Sequence, residues 1–118
     1  MEHSPKFLAL VKGVQDQVCE MTLEQLAQLQ GPYEFIDVRE DHEYQQGCLQ
    51  GAKHLGRGII ERDIEKLYPD FDTKIVLYCG GGYRSILAAH NLQIMGYTRV
   101  YSLIGGYKAG VDAGWQQD

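Results

Sequence analysis

Long apolar runs are missing from this chain. Met1 to Lys6 is followed by five apolar residues, Phe7 to Val11, before Lys12 and Gly13. That run falls far short of the ~20 residues of a membrane span and of the apolar core of a secretory leader, so the expected location is the cytoplasm, with no membrane partner. A basic excess is missing as well. Eleven Lys and Arg stand against 16 Asp and Glu, for a formal net charge of −5, and the cations are scattered singly. With no basic stripe to displace counterions, nucleic acid is not an expected partner. Cysteine is scarce and odd in number. Cys19, Cys48 and Cys79 are too widely spaced for a disulfide framework or a Cys-x-x-Cys zinc site, which leaves a reducing compartment and a working thiol. His3, His42, His54 and His90 stand at no metal-ligand spacing with cysteine or carboxylate, so neither metal nor cofactor is expected. Internal repeats and low-complexity tracts are lacking too.

What is present suffices for one domain. At 118 residues, 44% apolar and 23% charged, the chain can bury a modest core and is too short for two. Ser4-Pro5 reads as an N-cap with proline at the first helical position. Phe7, Leu10, Val11, Val14 and Val18 then form one helical stripe, predicting an amphipathic extension over 1–18 that docks on the domain or meets a partner, docking being the commoner use. The domain proper is expected over 19–118. Thr22 and Gln25 make a capping box, with Met21 and Leu26 as its hydrophobic staple, opening a helix over 23–30. Gly31-Pro32 turns into a strand within Tyr33 to Val38. A polar helix (Asp41 to Gln46), a turn (Gly47 to Gly51), an extended piece (Ala52 to Leu55) and a helix within Ile59 to Tyr68 follow. After a turn at Asp70 to Thr73, the run Lys74-Ile75-Val76-Leu77-Tyr78 has the content of a buried parallel strand. The next helix faces inward with Ala88, Leu92 and Met95 and is closed by Gly96. Arg99 to Leu103, the Gly105-Gly106 turn and a helix over Tyr107 to Ala113 complete an α/β pattern. It implies four to five parallel strands flanked by helices.

Cys79 ends the most apolar of these strands and opens the string Cys79-Gly80-Gly81-Gly82-Tyr83-Arg84-Ser85. Strand end, glycine loop and helix start are the parts of an anion site, because backbone N–H groups can turn inward and the helix dipole adds positive potential. In open α/β sheets ligands bind beyond the carboxyl ends of strands, which is where Cys79 lies.

The chain resembles the rhodanese family of sulfurtransferases. Phe35 to Glu40 resembles that family's D-V-R-E strand end, Gly47 to Leu55 its G-H-I-P-G-A segment, Cys79 to Ser85 its C-x-x-G-x-R-S loop, and Gly105-Gly106 its late glycine pair. The resemblance spans roughly Cys19 to Trp115. It implies a single rhodanese-like domain, a sulfurtransferase of the thiosulfate:cyanide type, in which a catalytic Cys79 takes a sulfane sulfur from a donor such as thiosulfate as a persulfide and passes it to a thiol or cyanide. Gly80, Gly81, Gly82, Tyr83, Arg84 and Ser85 are then the substrate-binding loop, with Asp37, Arg39 and Glu40 as supporting ion pairs. A thiol acidified from about 8.5 to about 6.5 gains roughly twentyfold in thiolate at neutral pH and loses about tenfold in nucleophilicity. The loop's larger role is therefore to hold the donor and the persulfide.

The spacing from Cys79 to Arg84 is C-x4-R, whereas cysteine-dependent phosphatases of the same fold use C-x5-R. The shorter loop suits sulfur rather than a tetrahedral phosphate. A phosphatase or arsenate reductase, and a non-catalytic binding module, are the alternatives. Three departures from the family pattern stand out. Cys48 and Gln50 replace the usual histidine and proline, and Cys48 reads as a half-buried thiol rather than a resolving cysteine. Gly110 occupies a position where the family often has tryptophan. Gly80, Gly81 and Tyr83 are uncharged, which on an acidic protein counts against dianionic thiosulfate as the physiological donor and makes a protein or small-molecule persulfide at least as good a candidate, with a thiol as acceptor.

Overall fold

The computed structural model describes residues 3–117. Among them the chain runs α1 (Pro5–Gln15), β1 (Cys19–Met21), α2 (Leu23–Ala27), β2 (Glu34–Asp37), α3 (Asp41–Gln46), β3 (Lys53–His54), α4 (Ile60–Leu67), β4 (Lys74–Tyr78), α5 (Arg84–Met95), β5 (Arg99–Leu103) and α6 (Gly106–Asp112). The strands form one sheet in the order β1-β5-β4-β2-β3, every pair parallel. β4 is central, and Ile75 to Tyr78 are wholly buried.

The two-residue period of β4 divides the core. Ile75, Leu77 and Cys79 face one layer, where they meet Val11 of α1, Ile60 and Ile64 of α4, and Ile86, Ala89 and Leu92 of α5. Val76 and Tyr78 face the other, with Leu26 of α2, Leu49, and Tyr107 and Val111 of α6. The cysteine after the strand thus inherits the α5 face from its register.

Thr22 Oγ1 accepts the Gln25 N–H at 3.1 Å and Gln25 Oε1 accepts the Thr22 N–H at 2.8 Å, the capping box read from the sequence. α1 docks on its own domain through Phe7, Val11 and Val14. Leu10 of the expected stripe is instead 57% exposed, and Val18 lies beyond the helix end though buried. α2 stops at Ala27 instead of reaching 30, because Gln28 leaves helical geometry ahead of the left-handed Gly31. β1 has no counterpart in the sequence reading: three residues at a sheet edge, two of them exposed, carry no periodicity. Among the described residues no helix is long and apolar enough to cross a membrane.

Candidate active site

Cys79 follows β4 directly, and its residue is 1% exposed. Its Sγ accepts the Gly82 N–H at 3.1 Å and lies 3.5 Å from Ser85 Oγ. Ser85 shares a 2.7 Å hydrogen bond with Ser102 of β5, and both serines are fully buried. Gly82 adopts φ +101°, and a Cβ there would stand 3.2 Å from the Gly105 nitrogen. The turn that aims an amide at sulfur therefore requires glycine.

The other end of the loop is held from α6. Tyr107 N–H donates to the Cys79 carbonyl at 2.7 Å and Lys108 N–H to the Gly80 carbonyl at 3.2 Å. The first-turn amides of α6, which have no partner within their helix, thus clamp the backbone of the loop. Gly106 makes the approach possible: its φ is +52°, and a Cβ would collide with the Cys79 carbonyl oxygen.

Arg84 forks onto Glu43 of α3, Nη1 to Oε1 at 2.9 Å and Nη2 to Oε2 at 3.2 Å. These bonds hold the Glu43 carboxyl at about 2, against the opposing effect of burial and with help from the Glu40 N–H. The same bonds raise Arg84, with Cys79 adding through space. Expected to bind substrate, Arg84 has its charge balanced by a carboxylate three residues beyond the D-V-R-E-like segment.

Asp37 and Arg39 form the expected supporting pair. Arg39 Nη2 donates to Asp37 Oδ2 at 2.8 Å and the Arg39 backbone N–H to Oδ1 at 2.9 Å, with Asp37 wholly buried. Burial pulls Arg39 down, but the bonds and charge of Asp37 more than offset it, so the guanidinium stays charged. Its Nη2 also donates to the Gly47 carbonyl at 2.6 Å, and its plane lies 3.9 Å over the Tyr107 ring. The pair therefore reaches Cys79 through Tyr107. Glu40 is a correction. It is exposed at the N-cap of α3 and makes no ion pair among the described residues, acting on Arg84 only by charge at a distance.

The remaining loop residues divide. Gly81 faces open space, while the position of a Cβ on Gly80 is 3.3 Å from Arg84 Nη2. Tyr83 is 37% exposed, and its ring meets that of His3 edge-on at 4.7 Å. Sequence reasoning named Gly106 only as part of the late glycine pair and missed Glu43, Ser102 and Tyr107. A glutamate at the third helical position after the strand end was a visible sign for Glu43. Ser102 and Tyr107 are brought to the loop by tertiary packing alone.

Cys48 is half-buried, and its thiol donates to Gln117 Oε1 at 3.6 Å. Gly110 is explained by Leu49: a Cβ at 110 would lie 2.5 Å from both Leu49 methyls. That leucine is fully buried and occupies the space a larger residue would need. Trp115 packs at the edge of the same cluster. No group of three or more His, Cys, Asp or Glu that could hold a metal occurs among the described residues.

Residues 22–113 match the model of the rhodanese-like domain. The chain is 32% identical over 73 residues to the thiosulfate sulfurtransferase GlpE of Stutzerimonas stutzeri, a match covering 62% of this chain and 65% of that protein. Across the curated relatives matched first, the aligned stretch covers between 22% and 65% of the relative's own length. Among solved structures, a rhodanese with anions from E. coli is 35% identical with a TM-score of 0.61, covering 66% of this chain and 91% of that one. A Rhodopseudomonas palustris protein of unknown function, described as a possible tyrosine phosphatase, has a TM-score of 0.84 at 27% identity, covering 98% of this chain and 97% of that one. A family match over most of the chain, a five-stranded parallel α/β sheet and a glycine loop opened by cysteine agree: the chain belongs to the rhodanese-like domain family.

Proposed function

We propose that the protein is a sulfurtransferase that carries sulfane sulfur as a persulfide on Cys79. The observation that carries this reading is the Gly82 N–H aimed at Cys79 Sγ at 3.1 Å inside a C-x4-R loop. In the first half-reaction the Cys79 thiolate attacks the outer sulfur of the donor. The donor's S–S bond breaks, its electron pair leaves on sulfite or an organic thiolate, and a new S–S bond forms on Cys79. In the second, an acceptor thiolate or cyanide takes that outer sulfur and returns Cys79 as thiolate. A thiolate attacking sulfur needs no base to remove a proton in the transition state, which suits a site where, among the described residues, no histidine is hydrogen-bonded to the thiol. Preorganised N–H donors are worth about 3 kcal/mol each where charge develops, and the Gly82 amide is placed for that role.

The charge balance bears on the donor. Gly80, Gly81 and Tyr83 are neutral, Arg84 is paired with Glu43, and the chain carries −5. An organic or protein persulfide therefore suits the site better than dianionic thiosulfate. The test is intact mass after incubation with thiosulfate and, separately, with an organic persulfide. A gain of one sulfur atom, absent in Cys79→Ser and removed by a thiol, is the expected result; no gain with any donor refutes the reading.

A second reading, phosphate-ester hydrolysis, is favoured by the likeness to the R. palustris protein. Against it stand the loop's length and the engagement of Arg84 by Glu43, since a phosphatase arginine must be free to grip phosphate. Phosphate release from an aryl phosphate, lost in Cys79→Ser, is the outcome that would establish it.

A further inference from the structure

Two serines sit among the apolar side chains between β5 and α5. Ser85, in the first turn of α5, and Ser102 of β5 are both fully buried, and their hydroxyls are 2.7 Å apart. Ser102 lies in register beside Leu77 of β4, and Val100, two residues earlier on the same face of β5, belongs to the apolar layer under α5. A hydroxyl buried there is costly unless it is hydrogen-bonded. Among the described residues Ser102 Oγ has one partner, Ser85 Oγ, whereas Ser85 Oγ has two, Ser102 Oγ and Cys79 Sγ at 3.5 Å. The serines therefore make a chain that starts on β5 and ends on sulfur.

The order of protons along this chain follows from its ends. Each hydroxyl carries one proton, and a buried donor left without an acceptor is costly. Ser102 has only Ser85 Oγ to donate to, so its proton points there. The Ser85 proton then goes to the remaining partner, Cys79 Sγ, where it joins the Gly82 N–H. The reverse order, with a Cys79 S–H donating to Ser85 and Ser85 to Ser102, strands the Ser102 proton. The favoured order delivers two donors to a Cys79 thiolate, and hydrogen bonds to an ionised acceptor are about twice as strong as neutral ones. Once Sγ carries a second sulfur it is uncharged and, like a thioether, a weak acceptor. The chain thus favours Cys79 as free thiolate over Cys79 as persulfide.

We propose that Ser102 is a positioning residue for the discharge half of the sulfurtransferase reaction: acting through Ser85, it makes Cys79 a better leaving group. The proposal rests on the sulfurtransferase reading and adds to it a residue outside the active loop. With cyanide as acceptor, the cyanide carbon attacks the outer sulfur of Cys79–S–S–H; a C–S bond forms and the S–S bond breaks with its electron pair on Cys79 Sγ. The carbon is oxidised by two electrons as the S–S bond is reduced, thiocyanate leaves, and the persulfide proton passes to water. A less basic thiolate leaves faster. Loading responds less, because a stabilised thiolate is more abundant at neutral pH but a weaker nucleophile, and the two effects oppose each other. Loss of the Ser102 hydroxyl therefore acts unequally on the two half-reactions.

The hydroxyl is removed in two ways: in Ser102→Ala, and in Ser102→Val compared with Ser102→Thr, a pair that shares its shape and differs in the hydroxyl. Single-turnover rates are read by intact mass, first for loading of Cys79 from glutathione persulfide and then, with excess donor removed, for discharge to cyanide. The expected result is that Ser102→Ala slows discharge at least about fivefold and changes loading less than about twofold, and that the same split separates Ser102→Val from Ser102→Thr. In a Ser85→Ala background Ser102→Ala should add less than about twofold, since the link to sulfur is already cut. The pH profile of Cys79 alkylation by iodoacetamide should move upward by about half a unit or more in Ser102→Ala. Circular dichroism and thermal melting establish that the variants fold. Equal slowing of both half-reactions, unchanged discharge in a folded Ser102→Ala, or an undiminished effect in the Ser85→Ala background overturns the proposal even where Cys79 gains sulfur normally. No sulfur gain from any donor overturns the sulfurtransferase reading instead, and with it the assignment to discharge, while the alkylation profile still tests the hydroxyl chain.

Discussion

Replacing Glu43 by glutamine tests whether the Arg84 clamp holds the active loop to α3. A carboxyl held at about 2 in the folded protein against 4.5 in the open chain corresponds to about 3 kcal/mol as a ceiling. Both side chains are 29% exposed, and solvent screening reduces the expected loss at pH 7 to about 1–2 kcal/mol. The folded-state value lies below the unfolded one, so the contribution is complete above about pH 4.5 and is lost as pH falls toward 2, with more than half gone by about pH 3. Urea unfolding of the wild type and Glu43→Gln, run from pH 7 to pH 2.5, reads this directly. The gap between the two should narrow on acidification, because the variant has no carboxyl to protonate at that position. A double-mutant cycle with Arg84→Gln should return a coupling of about 1 kcal/mol or more at pH 7. A gap independent of pH, or a coupling below about 0.3 kcal/mol, refutes the claim that the pair fastens the loop.

Asp37→Asn leaves the Arg39 guanidinium buried beside a neutral group, and should cost about 3–5 kcal/mol in chemical denaturation. Gly106→Ala forces a Cβ into the Cys79 carbonyl at φ +52°; a loss of at least about 2 kcal/mol is expected, read as a lower melting temperature, together with slower sulfur gain on Cys79. Leu49→Ala empties a fully buried site and should cost about 2–5 kcal/mol. In that background, Gly110→Ala should be less damaging than in the wild type, as a thermal-melt comparison of the single and double variants will show.

The strand, loop and helix around Cys79 were legible because their signals are local. Four apolar residues, Ile75 to Tyr78, then three glycines and a helical stripe follow closely in sequence, and the Thr22 capping box is likewise closed within four residues. The Asp37–Arg39 pair was also readable, both partners lying at one strand end. What escaped depends on contacts made across the fold. β1 exists because β5 offers an edge to three residues with no pattern of their own. Ser102 reaches Ser85 only through the register that sets Leu77 beside it. Tyr107 joins the Cys79 carbonyl to the Arg39 plane from 28 residues downstream of the cysteine, a link that no local spacing announces. Arg84 is expected from its place in the loop to bind substrate, and the sequence shows its charge without the carboxylate that α3 brings to it.

Leu49 and Gly110 stand 61 residues apart in the chain, yet they compete for one volume. A large side chain at either excludes a large side chain at the other, so the pair carries a single choice written at two positions. Across an alignment of relatives the two columns should vary in opposition, tryptophan at the later one accompanying a smaller or differently directed residue at the earlier. Chains assembled by exchanging segments between relatives will inherit the choice twice or not at all. For this family, the seam between the Gly47 turn and α6 is where such chimaeras should fail.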